Sequence, residues 1–306
     1  MTSNYARTDL ALEDKERFDA QHVEIAGVEV KEYQCKESDI RVTEVNIVTE
    51  NGAKTMGKPV GSYRTMELNE LHLSDEESME MVATELAKQL EEIFPIKKEE
   101  YTVLVVGLGN RQVTPDALGP YMIERLEITR HVIREFGTFA FGTNMRNMVS
   151  AIAPGVMGQT GMESFEIVKG ITDMIQPDAV IVVDALAARN TKRLNRTIQI
   201  TDTGIRPGSG VGNHRNEISK ESLGIPVVSI GVPSVVSAEI IICDTMEQFY
   251  SGLESHEVYE FMQDLQDFIS PSLRNMFVTP KDIDEAMVQL AGTIATGLNK
   301  FFAKSF

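Results

Sequence analysis

The chain has 306 residues, 42% hydrophobic and 25% charged side chains, and a net charge of −17. This length is enough for one large α/β domain. The acidic balance argues against direct nucleic-acid binding and against anionic membranes, because phosphate groups are bound by clustered Lys and Arg. The two cysteines, Cys35 and Cys243, form no CxxC pair, so the sequence predicts no disulfide framework and a reducing, intracellular compartment.

The N-terminal part of the chain predicts a β-rich region followed by a helix. Residues 1–20 are polar and acidic and indicate a flexible leader. Apolar and polar residues alternate over 23–50, which is typical of short antiparallel strands. A loop is predicted from Gly57 to Gly61, and a capping box at Ser74–Glu77 predicts a helix that reaches about Phe94.

From Tyr101 onward, predicted strands and helices alternate. Strands are predicted at 102–107, 149–153, 179–184, 196–201 and 226–231. Helices are predicted from Thr114–Pro115, just after 184, near 161–175, near 216–223 and from about 279 to 302. This alternation predicts an α/β fold with a mainly parallel sheet and helices on both faces.

Asp116 and Asp184 each follow a buried strand of this predicted sheet. Ligands of open α/β sheets bind at the carboxyl ends of strands, so both carboxylates are candidate catalytic groups. A carboxylate pair can activate water when one member accepts a proton and the other donates one. Each residue also has a structural interpretation. Asp116 would suit the first turn of a helix, and Asp184 would suit the cap of a helix beginning at Ala185.

Two glycine-rich loops are candidate substrate or oxyanion loops. The first contains Gly107, Gly109 and Asn110, and the second contains Gly208 and Gly210. Their backbone N–H groups could stabilise an oxyanion, or the glycines could simply permit tight turns, and both interpretations stay open.

Other catalytic patterns are absent from the sequence. Gln112 stands where a dinucleotide fingerprint needs its third glycine, and there is no Walker A lysine or Gly-x-Ser-x-Gly elbow. The five histidines have no metal-ligand spacing, and only His214 lies in a candidate site loop. We therefore expect neither a metal nor another cofactor.

Several longer motifs resemble the germination protease family of spore-forming bacteria. They occur in the family's order at 105–110 (VVGLGN), 113–120 (VTPDALGP), 154–158 (PGVMG), 184–189 (DALAAR), 207–213 (PGSGVGN), 223–226 (LGIP) and 278–281 (VTPK). The resemblance covers most of the chain. It departs between about Thr245 and Met276, where this chain is shorter than family members that carry a longer insertion.

The resemblance implies an endopeptidase that initiates the degradation of small acid-soluble spore proteins during germination, with Asp116 and Asp184 as its essential aspartates. It implies a fold similar to that of hydrogenase-maturation peptidases. This is an α/β three-layer sandwich, here one peptidase domain over 10–306 with a smaller β-rich subdomain over about 23–70. It also implies a homotetramer in the cytoplasm of the forespore and spore core.

The resemblance further implies synthesis as a zymogen that removes its own propeptide. Residues 1–9 match the propeptide, and cleavage is expected between Asp9 and Leu10. We expect residues near 10–13 to mimic the cleavage motif of the substrate.

Three alternatives stay open on the residues alone. The same carboxylates could be ligands of a metal-dependent peptidase. The charge of −17 could bind basic proteins without catalysis. A nucleoside phosphorylase-like enzyme shares the sheet architecture, although the chain has no evident phosphate-binding arginine cluster.

Overall fold

The computed structural model describes residues 8–20, 25–69, 71–73, 75–138, 147–208, 215–250, 273 and 276–303. Within these ranges, nine strands form one mixed sheet. The same ranges contain no helix with the length and apolarity that a bilayer crossing requires.

The bounds of the strands are β1 Val28–Gln34, β2 Arg41–Ile47, β3 Gly61–Glu67, β4 Thr102–Gly107, β5 Met148–Ile152, β6 Ala179–Ala188, β7 Thr197–Thr201, β8 Val227–Ser237 and β9 Phe277–Val278. They lie in the order β1-β2-β3-β7-β8-β6-β4-β5, and β9 pairs with β8. The pairs among β8, β6, β4 and β5 are parallel, and the other pairs are antiparallel. In the parallel half, the carboxyl ends of β4 and β6 therefore point to the same end of the sheet.

Helices cover both faces of this sheet. Their bounds are α1 Ala11–Ala20, α2 Glu50–Met56, α3 Glu76–Ile93, α4 Leu118–Ile123, α5 Arg130–Phe136, α6 Met157–Thr160, α7 Ser164–Ile175, α8 Lys220–Leu223, α9 Ala238–Tyr250 and α10 Ile283–Ala303. On one face α3, α4 and α10 bury a large core against the sheet. On the other face α7 and α8 pack on the parallel strands, and α1 and α2 pack on β2 and β3.

These layers confirm the predicted α/β class with helices on both faces. The sheet is mixed, with five antiparallel and three parallel strand pairs, so the mainly parallel sheet that the alternation predicted is present only among β8, β6, β4 and β5. The predicted antiparallel strands are present as β1 and β2, and together with β3 they continue the central sheet. The C-terminal helix is confirmed, because the apolar residues that predicted it are buried: Ile283, Met287, Leu290, Ile294 and Leu298. The helix predicted from a capping box is α3, and its cap is Asp75, whose carboxylate accepts a hydrogen bond from Ser78 N at 2.8 Å.

The prediction of a flexible leader over residues 1–20 is wrong for the part that the structure describes. Residues from Ala11 form helix α1, and Leu10 and Ala11 are fully buried. The polar residues of this segment are engaged in contacts with the protein body, which composition alone could not indicate.

Three local predictions on the later part of the chain are also wrong. No helix begins at Ala185, because β6 continues to Ala188. β8 continues beyond 231 to Ser237. Asp116 lies in a 3-10 turn, Thr114–Asp116, and α4 begins only at Leu118. The segment from Gly57 to Gly61 connects α2 to β3 as predicted.

Candidate active site

Asp116 is held by the loop that follows β4. The backbone N–H of Asn110 donates to the Asp116 carboxylate at 2.8 Å and to its carbonyl oxygen at 3.0 Å. Gly109 has a φ of +113°, and a Cβ there would lie 1.9 Å from the Asp116 carbonyl oxygen. The same crowding affects Gly107, where a Cβ would meet the backbone of Gly119 at 2.4 Å. These glycines let the Asp116 turn fold back onto the end of β4.

A bulge in β8 also holds this turn. Leu186 pairs with Pro233 and Ala187 pairs with Val235, so Ser234 is the extra residue between the two pairs. Ser234 is buried, and its hydroxyl donates to the Pro115 carbonyl oxygen at 2.6 Å. The bulge therefore fixes the residue that precedes Asp116.

Asp184 lies within β6 at the point where its neighbour β4 ends. Gly107, the last residue of β4, pairs with Val183, and Asp184 is the next residue along β6. Its side chain is 6% exposed and accepts a hydrogen bond from the Ala185 N–H at 2.9 Å. Asp184 is thus buried beside an open edge of β6.

The two carboxylates have perturbed acidities. Burial raises the pKa of Asp184 well above its usual value, and the negative charges of Asp116 and Asp9 raise it further, against the Ala185 N–H and Arg215. Burial also raises the pKa of Asp116, against the Asn110 N–H and Arg215. Asp184 is therefore the member of the pair that binds a proton more readily.

One cavity of about 1040 Å³ contains both aspartates, together with Asp9, Gln199 and Arg215. Asp9 reaches it because the N-terminal segment lies along the open edge of β6. The Asp9 N–H donates to the Ala187 carbonyl oxygen at 3.1 Å, and the Ala187 N–H donates to the Asp9 carboxylate at 2.9 Å. Asp9, the residue before the Asp9–Leu10 bond, is therefore held at the wall of the cavity of the aspartate pair.

Glu13 anchors the same segment further along. Its buried carboxylate accepts hydrogen bonds from the backbone N–H groups of Arg189 and Asn190, both at 2.8 Å. The Thr8 hydroxyl also donates to it. In addition, Glu16 forms an ion pair with Arg193 at 2.6 Å. These contacts hold residues 8–16 against the turn that follows β6.

The second glycine-rich loop is described only in part. Gly208 lines the cavity and has a φ of +71°. Gly210 and His214 lie outside the described residues. In the part of the chain that the structure describes, no three His, Cys, Asp or Glu side chains are grouped to hold a metal ion.

Sequence reasoning missed Gln199, Ser234 and Arg215. Gln199 lies in a strand that is otherwise apolar or Thr, and a polar amide in a buried strand was a usable signal. Arg215 immediately follows the second glycine-rich loop. The role of Ser234 could not be predicted, because a bulge depends on the register between two strands that are far apart in the sequence.

Comparison with known proteins identifies the family. The family profile for germination protease matches residues 5–257. The chain belongs to the germination protease family. The germination protease of Caldanaerobacter subterraneus subsp. tengcongensis is 46% identical over 307 residues, covering 96% of this chain and 93% of that protein. This membership gives the chain a protease role in spore germination.

Further relatives agree with this assignment. The germination protease of Clostridium tetani is 42% identical, covering 96% of this chain and 94% of that protein. That of Bacillus cereus is 39% identical over an alignment of 346 residues, covering 96% of this chain and 92% of that protein. The Bacillus alignment is much longer than this chain, so that relative carries insertions that this chain lacks.

Among solved structures, the NiFe hydrogenase maturation protease HycI from Thermococcus kodakarensis KOD1 is similar to this chain. The similarity covers 69% of this chain and 98% of that one, with a TM-score of 0.34 and 19% identity.

Proposed function

We propose that this germination protease is an endopeptidase that initiates the degradation of small acid-soluble spore proteins, with Asp116 and Asp184 activating the attacking water. The observation that carries the proposal is the cavity that both carboxylates line together with Asp9, the residue before the Asp9–Leu10 bond. A peptide bond docked beside two carboxylates of raised pKa is the arrangement that acid–base hydrolysis needs.

The two carboxylates have different roles in this proposal. Asp184 is the more deeply buried and holds the shared proton, while Asp116 is ionised and accepts a proton from water. The water oxygen bonds to the peptide carbonyl carbon, and Asp184 protonates the leaving amine as the carbon–nitrogen bond breaks. The titration belongs to the pair, so the activity profile reports two joint pKa values.

The proposal includes synthesis as a zymogen. Residues 1–9 form the propeptide, the cleaved bond joins Asp9 to Leu10, and residues 10–13 occupy the place of a substrate. Two observations support this. Leu10 is fully buried, and the Glu13 carboxylate accepts hydrogen bonds from the backbone of Arg189 and Asn190, so the segment is held by the rest of the protein as a bound peptide would be. The active form is proposed to be a homotetramer in the spore, without a metal or other cofactor. Gly107, Gly109, Asn110 and Gly208 remain proposed substrate-loop residues.

The test uses the full chain and a small acid-soluble spore protein, with chelator present. Asp116→Asn and Asp184→Asn are each expected to slow cleavage by roughly 10²–10⁴-fold. Asp173→Asn is the matched control, because Asp173 is exposed on α7 and pairs only with Lys169 among the described contacts. Fragments are followed by mass spectrometry.

Two results would overturn the proposal. Wild-type rates in both active-site variants would remove the aspartates from the chemistry. Loss of activity in chelator that a divalent ion restores would instead assign the carboxylates to a metal-dependent peptidase.

A further inference from the structure

Gln199 makes two hydrogen bonds to the peptide groups on either side of Leu10. Its side-chain Nε2 donates to the Asp9 carbonyl oxygen at 3.1 Å. Its Oε1 accepts from the Ala11 N–H at 2.8 Å. The Asp9 carbonyl belongs to the Asp9–Leu10 bond, so Gln199 contacts the chain on both sides of that bond.

The strand around Gln199 is rigid. Gln199 pairs through its backbone with Thr65 on β3 and with Gly231 on β8, in the interior of the sheet. Its side chain is 5% exposed. The backbone that carries the amide is therefore held in the interior of the sheet, which limits where the amide can move, and a donor of limited mobility suits a catalytic site.

A buried amide needs hydrogen-bond partners, because a buried donor or acceptor without one destabilises the folded protein. Both side-chain bonds described for Gln199 are to the backbone of the N-terminal segment. When that segment leaves, the amide faces the cavity with these two bonds broken. A second extended peptide restores both bonds through its own carbonyl and N–H, so the position fits a peptide backbone of any sequence.

Two backbone N–H groups of the loop after β4 are already engaged in other hydrogen bonds. The Leu108 N–H donates to the Val183 carbonyl oxygen at 2.8 Å, and the Asn110 N–H donates to Asp116. Both groups stabilise the site itself. Gln199 supplies a donor to a reacting carbonyl that these two groups do not supply.

We propose that Gln199 is a catalytic residue whose Nε2–H donates to the oxyanion that forms when water attacks the bound peptide, and whose Oε1 holds the N–H two residues downstream. This inference rests on the proposed function. Water forms a bond to the Asp9 carbonyl carbon, the carbonyl oxygen takes the negative charge, and the Gln199 amide stabilises that charge. The carbon–nitrogen bond to Leu10 then breaks, and the products are a carboxylate and an amine.

The test compares Gln199→Met and Gln199→Glu with wild type and with Thr197→Val. Thr197 is a buried polar residue two positions earlier on the same strand, and it does not line the cavity. The readouts are the rate of Asp9–Leu10 cleavage in the full chain, and kcat and KM for a small acid-soluble spore protein. Thermal unfolding of each variant measures its structural cost.

Gln199→Met is expected to lower kcat by roughly 10²–10³-fold, the effect of removing one oxyanion donor, with a smaller change in KM. Thr197→Val is expected to cleave at the wild-type rate. In Gln199→Glu the ionised side chain keeps an acceptor but has no donor, and its protonated form donates again. Its activity relative to wild type should therefore rise as pH falls, while the ratio for Gln199→Met stays constant.

Each failure has its own signature. Wild-type kcat in Gln199→Met would overturn the role of Gln199 while leaving the aspartate pair intact. Equal, pH-independent losses in both variants that follow their loss of thermal stability would make Gln199 a structural residue only. Undiminished cleavage by Asp184→Asn would instead overturn the proposed function, whatever Gln199 does.

Discussion

At the scale of single residues, Asp184 lowers the stability of the protein at neutral pH. Burial raises the pKa of its carboxyl above the usual 3.8, so the folded state favours the protonated form. The stability that protonation gives is complete below the usual value and is lost as pH rises through the raised one. Asp184→Asn removes the charge, so we expect this variant to unfold at a higher temperature than wild type near pH 8. The two melting temperatures should converge near pH 4.

Asp178→Asn is expected to change the melting temperature in the opposite direction in the same experiment. Partial burial acts to raise the pKa of Asp178, but the Thr102 N–H and Lys98 together hold it below its usual value. Its contribution to stability is therefore present at neutral pH and lost in acid. This variant should melt below wild type at pH 7. A lower melting temperature for Asp184→Asn at pH 8 would contradict the assigned burial cost.

Gly109 is a second residue whose substitution has a defined result. A Cβ at its φ of +113° would lie 1.9 Å from the Asp116 carbonyl oxygen, which is backbone and cannot move aside cheaply. Gly109→Ala is expected to displace the Asp116 turn, with a loss of roughly 2 kcal/mol or more in unfolding free energy and most of the proteolytic activity. Chemical denaturation and a cleavage assay measure the two effects.

Gly170→Ala is the matched control for this substitution. Gly170 is exposed in α7, and a Cβ there meets nothing within 4 Å. Alanine favours the helix, so this variant should gain roughly 0.5–1 kcal/mol with unchanged activity. If Gly109→Ala behaved like Gly170→Ala, the close packing of the Asp116 turn would be refuted.

At the scale of secondary-structure elements, helix α1 depends on Glu13 for its position. Glu13→Ala leaves the N–H groups of Arg189 and Asn190 without their acceptor, at a cost of roughly 1–3 kcal/mol each. We expect α1 amides to exchange hydrogen roughly tenfold faster or more, and the Asp9–Leu10 bond to be cleaved more slowly. Asp19→Ala, on the exposed side of α1, should change neither quantity. Unchanged exchange in Glu13→Ala would show that other contacts hold the helix.

The elements that the sequence predicted well are those whose burial follows a local pattern. β4 and β6 are continuous apolar runs, and α10 repeats apolar residues at helical spacing, so each was recognisable from its own residues. Helix α1 was not predicted, because the acidic residues of this segment indicated a solvent-exposed, flexible leader. Their partners, such as Lys58 and Arg193, are distant in the sequence.

The candidate site was predictable only in part for the same reason. In the sequence each aspartate comes after a run of apolar residues, so their type and position along the chain indicated chemistry. The pairing of Asp9 with Ala187 and with Gln199 joins residues more than a hundred positions apart. No local pattern specifies such contacts, because they depend on the order of strands in the finished sheet.

At the scale of the whole molecule, the N-terminal segment lines the cavity of the aspartate pair in its own chain, and this predicts intramolecular processing. The Asp9–Leu10 bond is held by Ala187 and Gln199, so cleavage should follow first-order kinetics with a rate constant that is unchanged by hundredfold dilution. Gel electrophoresis and mass spectrometry of the new N-terminus measure that rate. A rate constant proportional to protein concentration would mean that one chain processes another.

A mixing experiment sharpens this prediction. Asp184→Asn chains carry the same docked segment but lack the proposed acid, so they should remain intact on their own. Because Leu10 is fully buried in its own protein, added wild-type enzyme should also leave them uncut, while it degrades a small acid-soluble spore protein in the same tube. Unfolding the Asp184→Asn chains first should make the bond accessible. Rapid cleavage of the folded variant at Asp9–Leu10 by wild type would contradict the intramolecular route, since it would require the segment to leave its own cavity readily and enter another.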